Sequence, residues 1–207
     1  MAIVIEHEGL GADQAAIKRT FDLMLSAIGL ALSSWLILLA WIAASWDTRS
    51  NGFFIQQRVG KNGRLFRVVK IKTMRPNRDL STTVTRSGDP RITPLGRFLR
   101  KTKIDELPQL WNVLWGDMSF VGPRPDVPGF ADSLVGEERR LLSIRPGITG
   151  PATLKYRNEE ELLTAAGDPE VYNREVIWPD KVRINLEYIR NWRLAKDLQY
   201  IWKTVMG

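Results

Sequence analysis

The feature that most constrains this chain is a run without a charged residue, LMLSAIGLALSSWLILLAWIAASW, 24 residues between Asp22 and Asp47. Coiled as a helix at about 1.5 Å per residue, it is long enough to cross a hydrocarbon core of about 30 Å. A cleaved signal peptide would be shorter, begin earlier and end in small residues, whereas this run closes on Trp46-Asp47. The sequence therefore predicts a membrane helix over residues 18–47, in preference to a buried core helix. Lys18 and Arg19 precede the run, and Arg49, Arg58, Lys61 and Arg64 follow it. Basic flanks stay on the cytoplasmic side, so a re-entrant segment that enters and leaves by one face accounts for positive charge at both ends. Ser33 and Ser34, near the middle, carry hydroxyls able to bond carbonyls freed at a bend. Residues 1–17 read as a polar lead-in. Residues 48–207 read as a domain on the cytoplasmic face under either topology.

The formal net charge of +7 points to an anionic partner: nucleic acid, an acidic membrane face or a phosphorylated small molecule. There is no cysteine, and the single histidine, His7, lies in the lead-in. Disulfides, thiolate nucleophiles and histidine-based triads or zinc sites are thereby excluded, and any chemistry falls to carboxylates, Lys and Arg. Neither the P-loop pattern nor Gly-x-Gly-x-x-Gly occurs. The chain has no nucleic-acid-binding motif, and a membrane segment argues against that partner.

Beyond the membrane run, FFIQQRVGKNGRLFRVVKIKTM reads as a β-hairpin turning at Asn62-Gly63. Arg75 to Pro90 reads as a polar loop. PLGRFLRKTKIDELPQLWNVLWGDM is helical in character, with Leu107, Leu110, Trp111 and Leu114 at i, i+3, i+4 and i+7, and Gly116 as its stop. PRPDVPGF and RPGITG are structured loops. From Asp180 a long amphipathic helical pattern begins, suited either to the membrane interface or to the domain core. The fold class is α+β: a membrane-embedded N-terminal helix, a small hairpin, and a helical domain with interfacial amphipathic helices.

Two adjacent carboxylates, Asp105 and Glu106, are the candidates for chemistry. They suit the first turn of a helix, where negative charge is worth ~0.3–1 kcal/mol. They also suit phosphate transfer, because Arg100, Lys101, Lys103 and Arg124 crowd them, the last held in a rigid Pro-Arg-Pro. The residues alone leave both readings open. A third, a non-catalytic membrane-anchored protein that holds anionic lipid or a partner, also stands.

The string DPRITPLGRFLRKTKIDELPQLWNVLWGDMSFVGPRPDVPGF, with FRVVKIKTMR before it and IRPGITGPATLKYRNEEELL after it, resembles the bacterial sugar transferase family. The resemblance runs from about Lys18 to the C-terminus. These are monotopic phosphoglycosyl transferases, and the chain is similar to the small single-function type. The resemblance implies transfer of a phosphosugar from a UDP-sugar to undecaprenyl phosphate, giving undecaprenyl diphosphate-sugar and UMP. Asp105 would be the nucleophile that carries a covalent phosphosugar. Glu106 would hold Mg²⁺, and Lys72, Arg100, Arg124 and Arg145 would bind phosphate. The implied location is the cytoplasmic membrane, in contact with lipid and as a monomer or a homodimer. The family's re-entrant helix bends at a Ser-Pro pair; here Trp35 follows Ser34.

Overall fold

The computed structural model describes residues 9–75 and 89–207. His7, and the polar stretch after Arg75 up to residue 88, lie outside the described residues. The apolar run forms the middle of one unbroken helix, α1 (Ala12–Thr48). It is about 55 Å long at the usual rise, and it starts six residues before the expected Lys18. Ser33 Oγ donates to the Gly29 carbonyl at 2.6 Å, an i−4 bond made within a continuous helix and not at the break expected from these serines. The side of α1 that carries Met24, Ile28, Leu32, Trp35, Leu38 and Leu39 is exposed.

Strands β1 (Phe53–Val59) and β2 (Leu65–Ile71) form the expected antiparallel hairpin, in register from Phe53↔Ile71 to Val59↔Leu65. Asn62 and Gly63 both take positive φ at its tip, which is why that dipeptide marks the turn. The single helix expected after Pro94 is instead α2 (Pro94–Lys101), a 3₁₀ turn (Ile104–Glu106) and α3 (Gln109–Trp115). Lys103 at φ 59° breaks the first helix, and Pro108 has no N–H with which to continue it. Gly116 ends α3 at φ 100° as expected, in the left-handed region a glycine enters freely.

The α2–turn–α3 segment runs antiparallel along α1. Arg19 donates to the carbonyls of Val113 and Leu114, Leu110 lies over Gly29, and Leu99 and Ile104 pack with Ala40, Ala44 and Ile71. Its far side rests on the hairpin. There Asn112 takes the place of a third strand: its side-chain amide donates to Arg67 O (2.7 Å), and its carbonyl oxygen accepts from Val69 N (3.1 Å).

A short parallel pair, β3 (Ser119–Val121) with β4 (Gly147–Thr149), was not legible in the sequence, where RPGITG reads as a loop. Helices α4 (Pro151–Lys155), α5 (Glu159–Ala165) and α6 (Pro169–Tyr172) follow. The long C-terminal helix expected from Asp180 is two, α7 (Trp178–Arg190) and α8 (Leu194–Met206). The break falls at Trp192, whose buried indole donates to Asp197 Oδ2 at 3.1 Å. Helix α7 buries Val182, Tyr188 and Ile189 in the domain, whereas α8 leaves Leu198, Trp202, Val205 and Met206 exposed. Helix α8 packs Leu194, Tyr200 and Ile201 against the same core.

Removing the Asn112 side chain strands one donor and one acceptor of β2. Asn112→Ala is expected to cost roughly 2–3 kcal/mol, measured by chemical unfolding in detergent.

Candidate active site

The acid pair lies in the 3₁₀ turn that leads into α3 rather than in the first turn of α3 itself. The turn rests on α1 through Ile104 and reaches the hairpin through Glu106. Gly96 sets the approach of α2: a Cβ there would stand 2.0 Å from the Thr73 carbonyl, so only glycine lets the helix lie against the exit of β2. This contact brings Arg100 Nε to Thr73 Oγ1 (3.0 Å) and its guanidinium near Asp105.

Two cations hold Glu106. Lys70 Nζ meets Oε1 at 2.8 Å and Arg124 Nη2 meets the same oxygen at 3.5 Å. Burial would push this carboxyl up, but Lys70 and Arg124 outweigh it and hold it down at about 2. Asp105 is the opposite case. Burial, and next the charge of Glu106, push its carboxyl up to about 6 against the pull of Lys70, Arg100 and Lys103. It is 8% exposed, and its Oδ1 is buried without a hydrogen-bond partner. Two neighbouring carboxylates are thus driven apart: one is permanently ionised, and the other ionises near neutrality with an unsatisfied oxygen.

Arg124 is fixed from both sides. Gly122 N donates to Thr149 O and Gly147 N to Pro123 O, which ties the Pro-Arg-Pro loop to β4. Arg58 Nη1 donates to Pro125 O and Val59 N to Asp126 O, which ties it to β1. The rigidity read from the two prolines is therefore reinforced by the parallel strand pair. Asp126 is a second carboxyl that burial pushes up to about 6, with Lys181, Arg58 and Arg124 opposing.

Of the expected site residues, Asp105, Glu106, Arg100 and Arg124 converge. Lys72 and Arg145 do not join them through any described contact. Lys72 Nζ donates to Ser50 Oγ (2.9 Å), and Arg145 Nε donates to Gly116 O (2.7 Å) beyond the far end of α3. Sequence reasoning missed Lys70, Arg58 and Asp126. Lys70 had a signal: it is the basic residue near the end of β2, whereas Lys72 falls one position past the strand.

Glu106 and Asp105 form a pair of adjacent carboxylates, one ionised and one with a free buried oxygen. That donor set suits Mg²⁺, which binds through one or two carboxylates and completes its shell with water and substrate phosphates. Among the described residues no group of three or more metal-ligating side chains occurs.

The turn thus sets a buried carboxylate with an unpaired oxygen among cations, next to a long apolar helix. The bacterial sugar transferase pattern matches residues 13–207, and the chain belongs to that family. It is similar to the UDP-glucose:undecaprenyl-phosphate glucose-1-phosphate transferase of Caulobacter vibrioides, with 34% identity covering 91% of this chain and 68% of that protein. It is similar also to the exopolysaccharide production protein ExoY of Sinorhizobium fredii, with 31% identity covering 91% and 83%. The undecaprenyl-phosphate galactose phosphotransferase of Salmonella typhimurium is 34% identical over 91% of this chain. The chain spans 39% of that protein's length, and the same share of the UDP-galactose-lipid carrier transferase of Erwinia amylovora.

The raised carboxyl carries a stability prediction. Its folded value lies above the unfolded one, so its favourable contribution is complete below about 4 and is lost as pH rises through about 6. Asp105→Asn, which mimics the neutral form, should stabilise the fold by about 1–3 kcal/mol at pH 7.5. The gain should vanish near pH 4, as read by thermal unfolding at both pH values.

Proposed function

We propose that this chain transfers a phosphosugar from a UDP-sugar to undecaprenyl phosphate at the cytoplasmic face of the membrane. The observation that carries the reading is Asp105 itself, a buried carboxylate with an unpaired oxygen set beside an ionised glutamate and a ring of cations. In the first step an Asp105 oxygen attacks the sugar-bearing phosphorus. The P–O bond to the other phosphate breaks, and UMP leaves with the bridging oxygen. In the second step an oxygen of undecaprenyl phosphate attacks the same phosphorus. The aspartyl P–O bond breaks, the carboxylate is restored, and undecaprenyl diphosphate-sugar departs. Dividing one displacement into two is the logic of covalent catalysis and gives ping-pong kinetics.

Arg124 and Arg100 neutralise phosphate oxygens from opposite sides of the turn. Lys70 is a positioning residue: it holds Glu106 ionised and turned toward the hairpin. Glu106, with Asp105 beside it, would hold Mg²⁺, which when bound offsets charge on the departing phosphate.

The placement of α1 supports a re-entrant or in-plane helix. Lys18 and Asp22 near one end bond Asp197 and Ser119, and Ala44 and Thr48 at the other end are buried against the same domain. A helix that crossed would carry one of these contacts to the opposite face. The exposed aromatics Phe98, Trp111 and Trp115 and the outer face of α8 then lie toward the headgroups.

The test is UMP release from a panel of UDP-sugars in the presence of undecaprenyl phosphate and Mg²⁺. Wild type should release UMP from at least one sugar, and Asp105→Asn should lose activity by about 10³-fold or more. Release by both proteins would remove Asp105 as nucleophile. In wild type, kcat/KM should rise with pH through about 6 as Asp105 ionises. A chelator should abolish release, and Mg²⁺ should restore it.

A further inference from the structure

Arg145 does not face the acid pair, and its actual surroundings contain an unused charge cluster. Its Nε donates to the Gly116 carbonyl, and neither terminal nitrogen has a hydrogen-bond or ion-pair partner among the described residues. Arg19 reaches the same helix end from α1, donating to Val113 O at 2.6 Å and Leu114 O at 2.9 Å. A Cβ on Gly116 would lie 3.3 Å from Arg19 Nη2, so both guanidiniums border one residue. The third member is Lys61 at the hairpin tip, whose ammonium is pushed down by desolvation and by the charge of Arg145.

No carboxylate forms an ion pair with any of the three among the described residues. Asp22, the acid near Arg19, is spent on Ser119 Oγ (3.0 Å) and Phe120 N (3.1 Å). The carbonyls at the end of α3 account for one guanidinium edge each, and three mutually repelling cations remain without a counter-charge. The cluster also has a position. Arg19 stands four residues before the apolar run begins at Leu23, and Trp115, 73% exposed, flanks Gly116. Cations one helical turn outside an apolar segment, beside an exposed tryptophan, stand at headgroup level.

The geometry points to Arg19, Lys61 and Arg145 forming a site for the phosphate of an anionic membrane phospholipid, separate from the site of reaction. The acceptor's phosphate does not fit this role, because it must reach Asp105, and the seven residues of α3 hold the cluster about 10 Å further along its axis. A phosphate bound here is a non-reacting one that seats the enzyme in the bilayer. The inference rests on the membrane placement of α1 proposed above, but its readout is independent of sugar transfer.

The experiment embeds the full chain in nanodiscs of mixed phosphatidylglycerol and phosphatidylcholine, and native mass spectrometry counts the lipids retained. Wild type should keep one phosphatidylglycerol in preference to phosphatidylcholine. Lys61→Gln, at an exposed turn and unable to unfold the domain, should reduce that preference about fivefold, and adding Arg145→Gln should reduce it about fivefold again. Arg145→Lys should retain most of it, and Lys203→Gln on α8 should change nothing. The site is refuted if the double variant keeps its phosphatidylglycerol, or if Lys203→Gln loses as much. Displacement of the lipid by excess inorganic phosphate would likewise overturn it, since the cluster would then bind any phosphate rather than a lipid.

Discussion

Everything in this structure depends on a helix that is anchored to one domain at both ends. Lys18 is paired with Asp197, a carboxylate that also receives Tyr188 and Trp192, and Asp22 accepts from Ser119 and the backbone of Phe120. Some twenty residues further on Ala40 and Ala44 are buried against β2 and α2. The first contact is polar and buried, so it tolerates no loss of either partner. The second is made by small side chains that permit close approach. Between them only one side of α1 touches protein, and the other, apolar side is exposed.

That arrangement makes α1 part of the site's foundation as well as an anchor. The α2–turn–α3 segment is wedged between α1 and the hairpin, and the acid pair sits where the wedge changes direction. The turn supplies what a regular helix does not: it points two consecutive carboxylates toward β2 while giving them different surroundings. Glu106 is drawn into contact with Lys70, and Asp105 is left facing inward without a partner. The cost of that unpaired oxygen is carried by the surrounding packing.

The parts legible in the sequence were those written in local chemistry. The charge-free run, the Asn62-Gly63 turn, the Gly116 stop and the Asp-Glu pair each announce themselves within a few residues. What stayed hidden depends on partners distant in sequence. Lys70 matters because Glu106 lies 36 positions away, and β3 and β4 exist only as each other's partners. The apolar spacing of α3 marked a helix without saying which of its apolar residues are covered: Leu110 is buried, whereas Trp111 and Trp115 stack on each other at 6.0 Å and face outward. A membrane supplies a second apolar environment, and periodicity does not distinguish it from a protein interior. The C-terminal pattern failed for a similar reason, because Trp192 breaks the helix in order to reach a buried carboxylate.

Helix α3 has a consequence beyond packing. Its amino end adjoins the acid pair, and its carboxyl end is held by Arg19 from the apolar helix α1. It therefore works as a ruler between the start of that helix and the acid pair. Adding or deleting one residue would move the turn by about 1.5 Å and swing it by about 100°. The length of α3 thus fixes both how far the acid pair stands from Arg19 and which way it is turned toward the hairpin.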